Sequence, residues 1–134
     1  MPHVIVEYSE NLKQTLDIPG LLDALHAKAV SLESLPTGGI RSRAIGYRDY
    51  RVADSHPDNG FIYITLRIGQ GRSDETQKVV GQALFDALNH FVREACKHRP
   101  LSLGLEIQEI DPQTRWKQSN IREHMNRRQS PGED

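Results

Sequence analysis

The residue with the clearest chemical potential is Pro2, which directly follows Met1 in the opening segment MPHVIVEY. Small second residues such as proline generally permit removal of the initiator methionine, and removal would leave a free secondary amine. A free α-amino group has a pKa of about 7.7–8.0, and burial or nearby cations lower this pKa. An uncharged amine of this kind can act as a general base near neutral pH.

A simpler interpretation of Pro2 is structural. Many chains begin with Met-Pro, and proline is tolerated at the first position of a β-strand because it need not donate to the ladder. On the N-terminal segment alone this structural interpretation is favoured, so the base hypothesis needs support from the rest of the chain.

The remaining reactive residue types give little sign of metal or nucleophilic chemistry. The six histidines show no H-x-x-x-H spacing with a nearby carboxylate, so neither a metal nor an organic cofactor is predicted. His90 and His98 are predicted to be surface residues, and Cys96 is predicted to be a small core residue. The segment GQGRS lacks the lysine and the spacing of a phosphate-binding loop.

Hydrophobic periodicity predicts the strands and helices that must position these residues. Apolar runs predict strands at about residues 2–8, 40–52, 61–69 and 101–110. Leu21, Leu25 and Ala29 lie at helical spacing and predict a first helix. A second apolar stripe begins after Ser73, a predicted N-cap, and ends before Pro100.

The order of these elements predicts an α/β fold of the type β-α-β-β-α-β. Its two halves, at about residues 1–58 and 59–111, indicate a duplicated β-α-β unit with one crossover in each half. The predicted architecture is a four-stranded sheet with two helices on one face, in a single domain over residues 1–111. The opposite sheet face carries apolar residues, so we expect it to pack against other subunits.

Length and composition exclude several classes of protein. The 134 residues suggest one domain, and 37% hydrophobic with 26% charged residues is typical of a soluble domain. A net charge of -1 gives no support to nucleic acid or an anionic membrane as a partner. One cysteine, with no N-terminal signal segment or membrane-spanning run, favours a cytoplasmic location.

Two short segments, PHVIVE and GRSDET, resemble the tautomerase superfamily, whose members use an N-terminal proline as base. A closer resemblance is to its double-length branch, the 5-carboxymethyl-2-hydroxymuconate isomerase family. The similar segments are MPHVIVEYSENL, GIRSRA, YITLRIGQGRS, LGLEIQEIDP and WKQSN. They occur in the expected order over nearly the whole chain, so the set is more specific than any one segment.

The resemblance implies an isomerase that converts a 2-hydroxymuconate-type dienol dicarboxylate, such as 5-carboxymethyl-2-hydroxymuconate, to its 2-oxo tautomer in aromatic-compound breakdown. It implies that Pro2 is the catalytic base and that Arg41 and Arg72 bind and polarise the substrate. Arg43 lies two residues from Arg41 on one strand face and could assist. Guanidinium groups suit these roles because they bind carboxylates bidentately and stabilise a developing dienolate. The resemblance also implies a homotrimer with active sites near subunit boundaries.

Two alternative functions remain open on the sequence. The amine, once protonated, could act as an acid in a hydratase or dehalogenase reaction. The domain could instead be a non-catalytic βαββαβ module that binds an anion through its arginines. For the arginines themselves, the structural alternative is a solvated strand face and an ordinary helix entry.

The polar, basic segment at residues 112–134 is predicted to be a C-terminal tail outside the domain. We expect Trp116 to pack this tail onto a neighbouring subunit, and we expect the last residues to be disordered. Arg48, Arg51 and Arg67 are predicted to be surface or interface charges.

Overall fold

The computed structural model of the chain describes residues 1–129. Its strands are β1 (His3–Ser9), β2 (Arg41–Tyr47), β3 (Gly60–Gly69) and β4 (Leu101–Ile110). Its helices are α1 (Ile18–Ser31), α2 (Asp74–Phe91), α3 (Arg93–His98) and α4 (Ile121–Arg128). Short 3-10 helices lie at Glu10–Gln14, Thr37–Gly39 and Pro112–Thr114. The predicted disorder of the chain end falls on residues 130–134, which lie outside the described residues.

The four strands form one sheet in the order β2-β1-β3-β4, which confirms the predicted α/β fold with two β-α-β units. β1 pairs in parallel with β2, and β3 pairs in parallel with β4. The two units meet through antiparallel pairing of β1 with β3. The first residues of β1 and β2 therefore lie at the same end of the sheet as the last residues of β3 and β4.

The hydrophobic core lies between the sheet and helices α1 and α2. Alternate residues of β1 and β3 point into it, and the side chains of Val4, Val6, Ile62 and Ile64 are 0% exposed. They pack with buried residues of the two helices, namely Leu21, Leu25, Ala29, Val80, Leu84 and Leu88. This packing confirms the two predicted apolar stripes and the placement of both helices on one sheet face.

The alternate strand residues that point away from α1 and α2, among them Ile45, Tyr47 and Tyr63, form the outer sheet face. Ile45 is 49% exposed, and the two tyrosines are 37% and 36% exposed. Tyr47 donates its hydroxyl to Glu7, and Tyr63 donates its hydroxyl to Glu106. The outer sheet face thus combines exposed apolar surface with polar pairs that are already formed within the chain.

Side-chain caps begin both long helices. Asp17 accepts a hydrogen bond from the backbone N–H of Gly20 at 3.1 Å, and Pro19 occupies the first turn of α1. Ser73 accepts a hydrogen bond from the backbone N–H of Thr76 at 3.1 Å, which confirms the predicted N-cap. Each cap satisfies a backbone donor that helix geometry leaves unpaired.

Three sequence predictions differ from the structure. β2 ends at Tyr47 rather than near residue 52, and the chain then turns through Ala53 and Ser55, whose φ angles are 52° and 68°. The second helical stripe is interrupted at Val92 (φ -94°, ψ 7°), which separates α2 from α3. The predicted core position of Cys96 is wrong, because Cys96 is exposed on the short α3, which has no buried residue.

The C-terminal segment contains a helix that the sequence analysis did not predict. α4 has no buried residue, and it contacts the 3-10 helix Thr37–Gly39 of the same chain. Trp116 is 87% exposed, and its packing on a neighbouring subunit remains a prediction, as does the domain boundary at residue 111. No helix within residues 1–129 has the length and apolar character needed to cross a membrane.

The close contact between β1 and β2 at Gly46 gives a test of the fold. A Cβ atom at position 46 would lie 2.7 Å from Cζ of Tyr8, whose ring is 5% exposed and held in the core. We therefore expect Gly46→Ala to lower the free energy of unfolding by about 1–3 kcal/mol in urea denaturation.

Gly69→Ala is the matched control, because a Cβ atom there would meet its nearest neighbour, Nη2 of Arg115, at 3.9 Å. The control should change the free energy of unfolding by less than about 0.5 kcal/mol. Equal losses of stability in the two variants would contradict the packing described for Tyr8.

Candidate functional site

The start of β1 is joined to the start of β2 by a backbone hydrogen bond. Arg41 donates its N–H to the carbonyl of Pro2 at 2.8 Å, next to the paired residues His3 and Arg41. Pro2 is buried, and a Cβ atom at Gly39 would lie 3.2 Å from Cδ of its ring. Glycine at position 39 therefore lets the Thr37–Gly39 turn pack closely against the proline ring.

A cavity of about 410 Å³ opens at this end of the sheet. We call it the terminal cavity, and its lining includes Met1, Pro36, Gly39, Arg41, Lys117 and Arg122. Three of its lining side chains are cationic, and none of the described residues that line it is acidic. Its volume falls in the range of small-molecule sites, and its charge suits an anionic ligand.

Met1 lines the terminal cavity, whereas Pro2, the next residue, is not among its lining residues. Met1 is half-buried, and its Cα lies 3.3 Å from the position of a Cβ atom at Gly39. Removal of Met1 would therefore expose the nitrogen of Pro2 at the cavity wall. The Pro2 ring would stay fixed, because its carbonyl remains bonded to Arg41.

The surroundings of the chain terminus favour an uncharged amine. Burial is the largest cause that lowers the pKa of the N-terminal amine below its ordinary value of 8.0. The positive charges of Lys117, Arg115, Arg72 and Arg41 lower this pKa further, in that order. Because Pro2 adjoins Met1, the same four cations would act on a Pro2 amine.

Arg41 is the predicted site residue that the structure places in the terminal cavity. It is half-buried, and its Nη1 donates to the carbonyls of Gly38 at 3.1 Å and Ile40 at 3.3 Å. These bonds orient the guanidinium group while Nη2 and Nε make no hydrogen bond to residues 1–129. Arg41 can therefore offer two donors to a carboxylate without losing its own support.

Arg72 is placed differently, because its guanidinium group is held by backbone carbonyls. Its Nε and Nη2 donate to the carbonyl of Ser34 at 3.1 and 2.9 Å, and its Nη1 donates to the carbonyl of Gly69 at 3.1 Å. The side chain thus links the loop before β2 to the end of β3. Its charge acts on the terminal amine, but Arg72 is not among the residues that line the terminal cavity.

Arg43 lies on the outer sheet face and outside the lining of the terminal cavity. Its Nη1 lies 3.1 Å from Nδ1 of His3. Burial, followed by the charges of Arg43 and Arg67, lowers the pKa of His3 below its ordinary range. A neutral His3 can accept the hydrogen bond from Arg43, so the two side chains form one polar pair. Within residues 1–129, no cluster of three or more His, Cys, Asp or Glu side chains could hold a metal ion.

The contribution of the C-terminal segment to this site was not predicted from the sequence. Lys117 and Arg122 line the terminal cavity, and Lys117 exerts the largest charge effect on the terminal amine. The antiparallel junction of the two β-α-β units places the end of β4 at the same end of the sheet as the start of β1, with β3 between them, so the tail begins at the end of the sheet that carries Pro2. The basic character of the segment was the available signal, but charge alone does not tell which surface a tail contacts.

Comparison with known proteins identifies the family. The family model of 5-carboxymethyl-2-hydroxymuconate isomerase matches residues 2–125 of the chain. The chain is 35% identical over 121 residues to the 5-carboxymethyl-2-hydroxymuconate Delta-isomerase of Escherichia coli, covering 90% of this chain and 96% of that protein.

Solved structures agree with this match. The crystal structure of a 5-carboxymethyl-2-hydroxymuconate isomerase from Deinococcus radiodurans R1 has a TM-score of 0.86 and 37% identity, over 92% of this chain and 93% of that chain. A fused 4-OT symmetric trimer shares the fold at a TM-score of 0.60 and 20% identity, over 88% and 92% of the two chains. The chain therefore belongs to the 5-carboxymethyl-2-hydroxymuconate isomerase family.

Proposed function

We propose that this chain is an isomerase that converts 5-carboxymethyl-2-hydroxymuconate, or a closely related dienol, to its 2-oxo tautomer. Family membership supports the reaction type. The observation that carries the proposal is the position of Pro2, buried beside a cavity whose described lining has three cations and no acid. A polyanionic substrate and a neutral amine base fit such a site together.

In the proposed reaction, the neutral nitrogen of Pro2 accepts the hydroxyl proton of the dienol. The O–H bond breaks, and its electron pair moves through the conjugated double bonds as the 2-oxo group forms. The proton then moves from Pro2 to a carbon atom of the substrate's conjugated system, where a C–H bond forms. Only one proton and the double bonds change position, so the reaction balances without a co-reactant.

The arginines have different proposed roles. Arg41 would bind a substrate carboxylate through its unoccupied donors and stabilise the dienolate while the proton is on Pro2. Arg72 would act chiefly by its charge, which contributes to lowering the pKa of the amine, and by holding the loop before β2 in place. Direct contact between Arg72 and the substrate remains a prediction, and it would require the bonds to Ser34 or Gly69 to break. An assisting role for Arg43 also remains a prediction.

We also infer a homotrimer that assembles through the outer sheet face. The exposure of Ile45, Tyr47 and Tyr63 supports this inference, since apolar sheet surface is commonly buried by another subunit. The trimeric fold neighbour supports it only at the level of the fold. A cytoplasmic location and a role in aromatic-compound breakdown remain predictions of the sequence analysis.

The requirement for a free Pro2 amine can be tested with a removable N-terminal extension. The extended protein, whose Pro2 nitrogen is an amide, should lose at least about 100-fold in kcat/KM, the typical contribution of a positioned general base. Proteolytic removal that leaves Pro2 as the first residue should restore activity. Intact mass identifies the terminus, and ultraviolet absorbance follows ketonisation of 2-hydroxymuconate and its carboxymethyl relative.

Full turnover by the extended protein would overturn the assigned role of Pro2. The same preparation, offered unsaturated or halogenated short-chain acids, tests the hydratase and dehalogenase alternatives. A ligand-binding module would show no turnover of any of these compounds with either terminus.

The electrostatic role of Arg41 gives a pH prediction with a definite sign. The neutral amine is the active form, so kcat/KM should rise with pH through the pKa of the amine and then reach a plateau. Arg41→Met should raise this pKa, because it removes a nearby cation, and should shift the acidic limb to higher pH. It should also lower the plateau of kcat/KM by roughly 10- to 100-fold through loss of a charge-assisted hydrogen bond.

Arg72→Met should shift the acidic limb in the same direction and also lower the melting temperature, since three hydrogen bonds to backbone carbonyls are lost. Arg93→Met, an exposed residue on α3, is the control that should leave both the limb and the plateau unchanged. If the acidic limb keeps its position in both variants, Arg41 and Arg72 do not lower the pKa of the amine.

The trimer is tested by light scattering after size-exclusion chromatography. The protein should have three times the mass of one chain, and Ile45→Glu should shift it to smaller species because a charge would be buried in the interface. Val79→Glu is the matched control, since Val79 is 65% exposed on α2, away from the outer sheet face. A monomeric parent protein, or equal dissociation of both variants, would contradict the inference.

A further inference from the structure

The C-terminal segment forms one wall of the terminal cavity. Lys117 and Arg122 line it from this side, across from the turn Thr37–Gly39 that α4 contacts. Arg122 packs on Gly38, where a Cβ atom would lie 3.1 Å from Nε and 3.5 Å from Cβ of that arginine. The close fit fixes the segment against the same loop that supports Arg41.

The cations of this wall have no acidic partner among the described residues. Lys117 and Arg122 make no ion pair or hydrogen bond with residues 1–129, although other side chains of the segment do. Glu123, the neighbour of Arg122, is instead paired with Arg127 at 2.7 Å. Among the described residues of the segment, the acidic side chain is thus paired with Arg127, and the cations that line the cavity are left available.

Arg115 precedes this wall in the chain and does not itself line the cavity, but it adds a further unpaired cation to the C-terminal segment. Its Nη1 is buried and has no hydrogen-bond partner among the described residues. A buried guanidinium donor without an acceptor is unfavourable, and native structures normally satisfy such groups with protein, water or a ligand. The charges of Arg115 and Lys117 both lower the pKa of the terminal amine, so the segment adds positive charge on this side of the sheet.

The wall offers more positive charge than a simple dicarboxylate needs. A 2-hydroxymuconate molecule carries one carboxylate at each end, and its carboxymethyl relative carries a third on a side branch. Arg41, held next to Pro2, suits the carboxylate nearest the reacting hydroxyl. Lys117 and Arg122 are then available for a carboxylate farther from the reacting atoms.

We propose that Lys117 and Arg122 form a second carboxylate subsite that selects substrates with the carboxymethyl branch over plain 2-hydroxymuconate. This inference rests on the proposed isomerase function and adds the basis of its specificity. The two side chains are specificity residues that touch the substrate away from the reacting carbon and oxygen atoms. Their charges would bind the third carboxylate in the ground state and in the transition state alike.

The kinetic test compares kcat/KM for the two substrates at a pH on the activity plateau. Lys117→Met should lower kcat/KM for the carboxymethyl substrate by at least about tenfold, the usual effect of losing a hydrogen bond to a charged group. Measured on the plateau of each variant, where the effect of Lys117 on the pKa of the amine no longer matters, the value for 2-hydroxymuconate should fall by less than about threefold, because that substrate lacks the third carboxylate. Lys117→Arg should keep most of the selectivity, since it keeps the charge.

Arg127→Met is the matched control, because Arg127 lies on α4 but pairs with Glu123 instead of lining the cavity. It should leave the ratio of the two kcat/KM values unchanged. Equal losses on both substrates in Lys117→Met would show a general structural effect and overturn the specificity role, as would an unchanged ratio.

A binding measurement separates this inference from the proposed function. Isothermal titration with two unreactive acids, propane-1,2,3-tricarboxylate and pentanedioate, needs no turnover. The parent protein should bind the tricarboxylate more tightly, and Lys117→Met should remove most of that preference. If the protein prefers the tricarboxylate but turns over no substrate, the isomerase function is overturned and the subsite is retained. If the protein shows no preference for the tricarboxylate, the subsite is overturned.

Discussion

The site depends on the way in which the two β-α-β units meet. Parallel pairing within the first unit places the start of β2, and hence Arg41, beside the start of β1. Antiparallel pairing between β1 and β3 then places the ends of β3 and β4 at the same end of the sheet. Four segments that are distant in sequence therefore converge on Pro2, and the hydrogen bond from Arg41 to its carbonyl fixes the point of convergence.

The converging segments supply positive charge in two physically different forms. Arg72 is bound by the carbonyls of Ser34 and Gly69, so its charge is fixed in space and serves the fold as well as the electrostatics. Arg41 and Lys117 instead line the cavity, and Nη2 and Nε of Arg41 and the ammonium group of Lys117 have no acceptor among residues 1–129. Both forms, after burial, lower the pKa of the terminal amine, and the second form can also contact a ligand.

The sequence was sufficient to predict the sheet, the two long helices and the cap at Ser73, because these depend on local periodicity and capping chemistry. It also indicated Pro2 and Arg41, through segments that resemble the family. The cavity wall formed by Lys117 and Arg122 could not be predicted, because α4 has no buried stripe and its position follows from long-range strand pairing. The exposure of Cys96 was not predicted for a related reason. The helix breaks at Val92 through a change in backbone angles, and the apolar pattern of the sequence gives no sign of this break.

Duplication of a β-α-β unit copies strands and helices, but it cannot copy the beginning of a polypeptide. In the second half the strand entry is internal to the chain: Asn59 precedes β3 as Pro2 precedes β1, and the nitrogen of Gly60 is an ordinary amide that donates to the carbonyl of Pro100 at 3.0 Å. That nitrogen has no basic lone pair and is already engaged in the ladder. Under the proposed mechanism, each chain therefore carries a candidate amine base at one end of its sheet only.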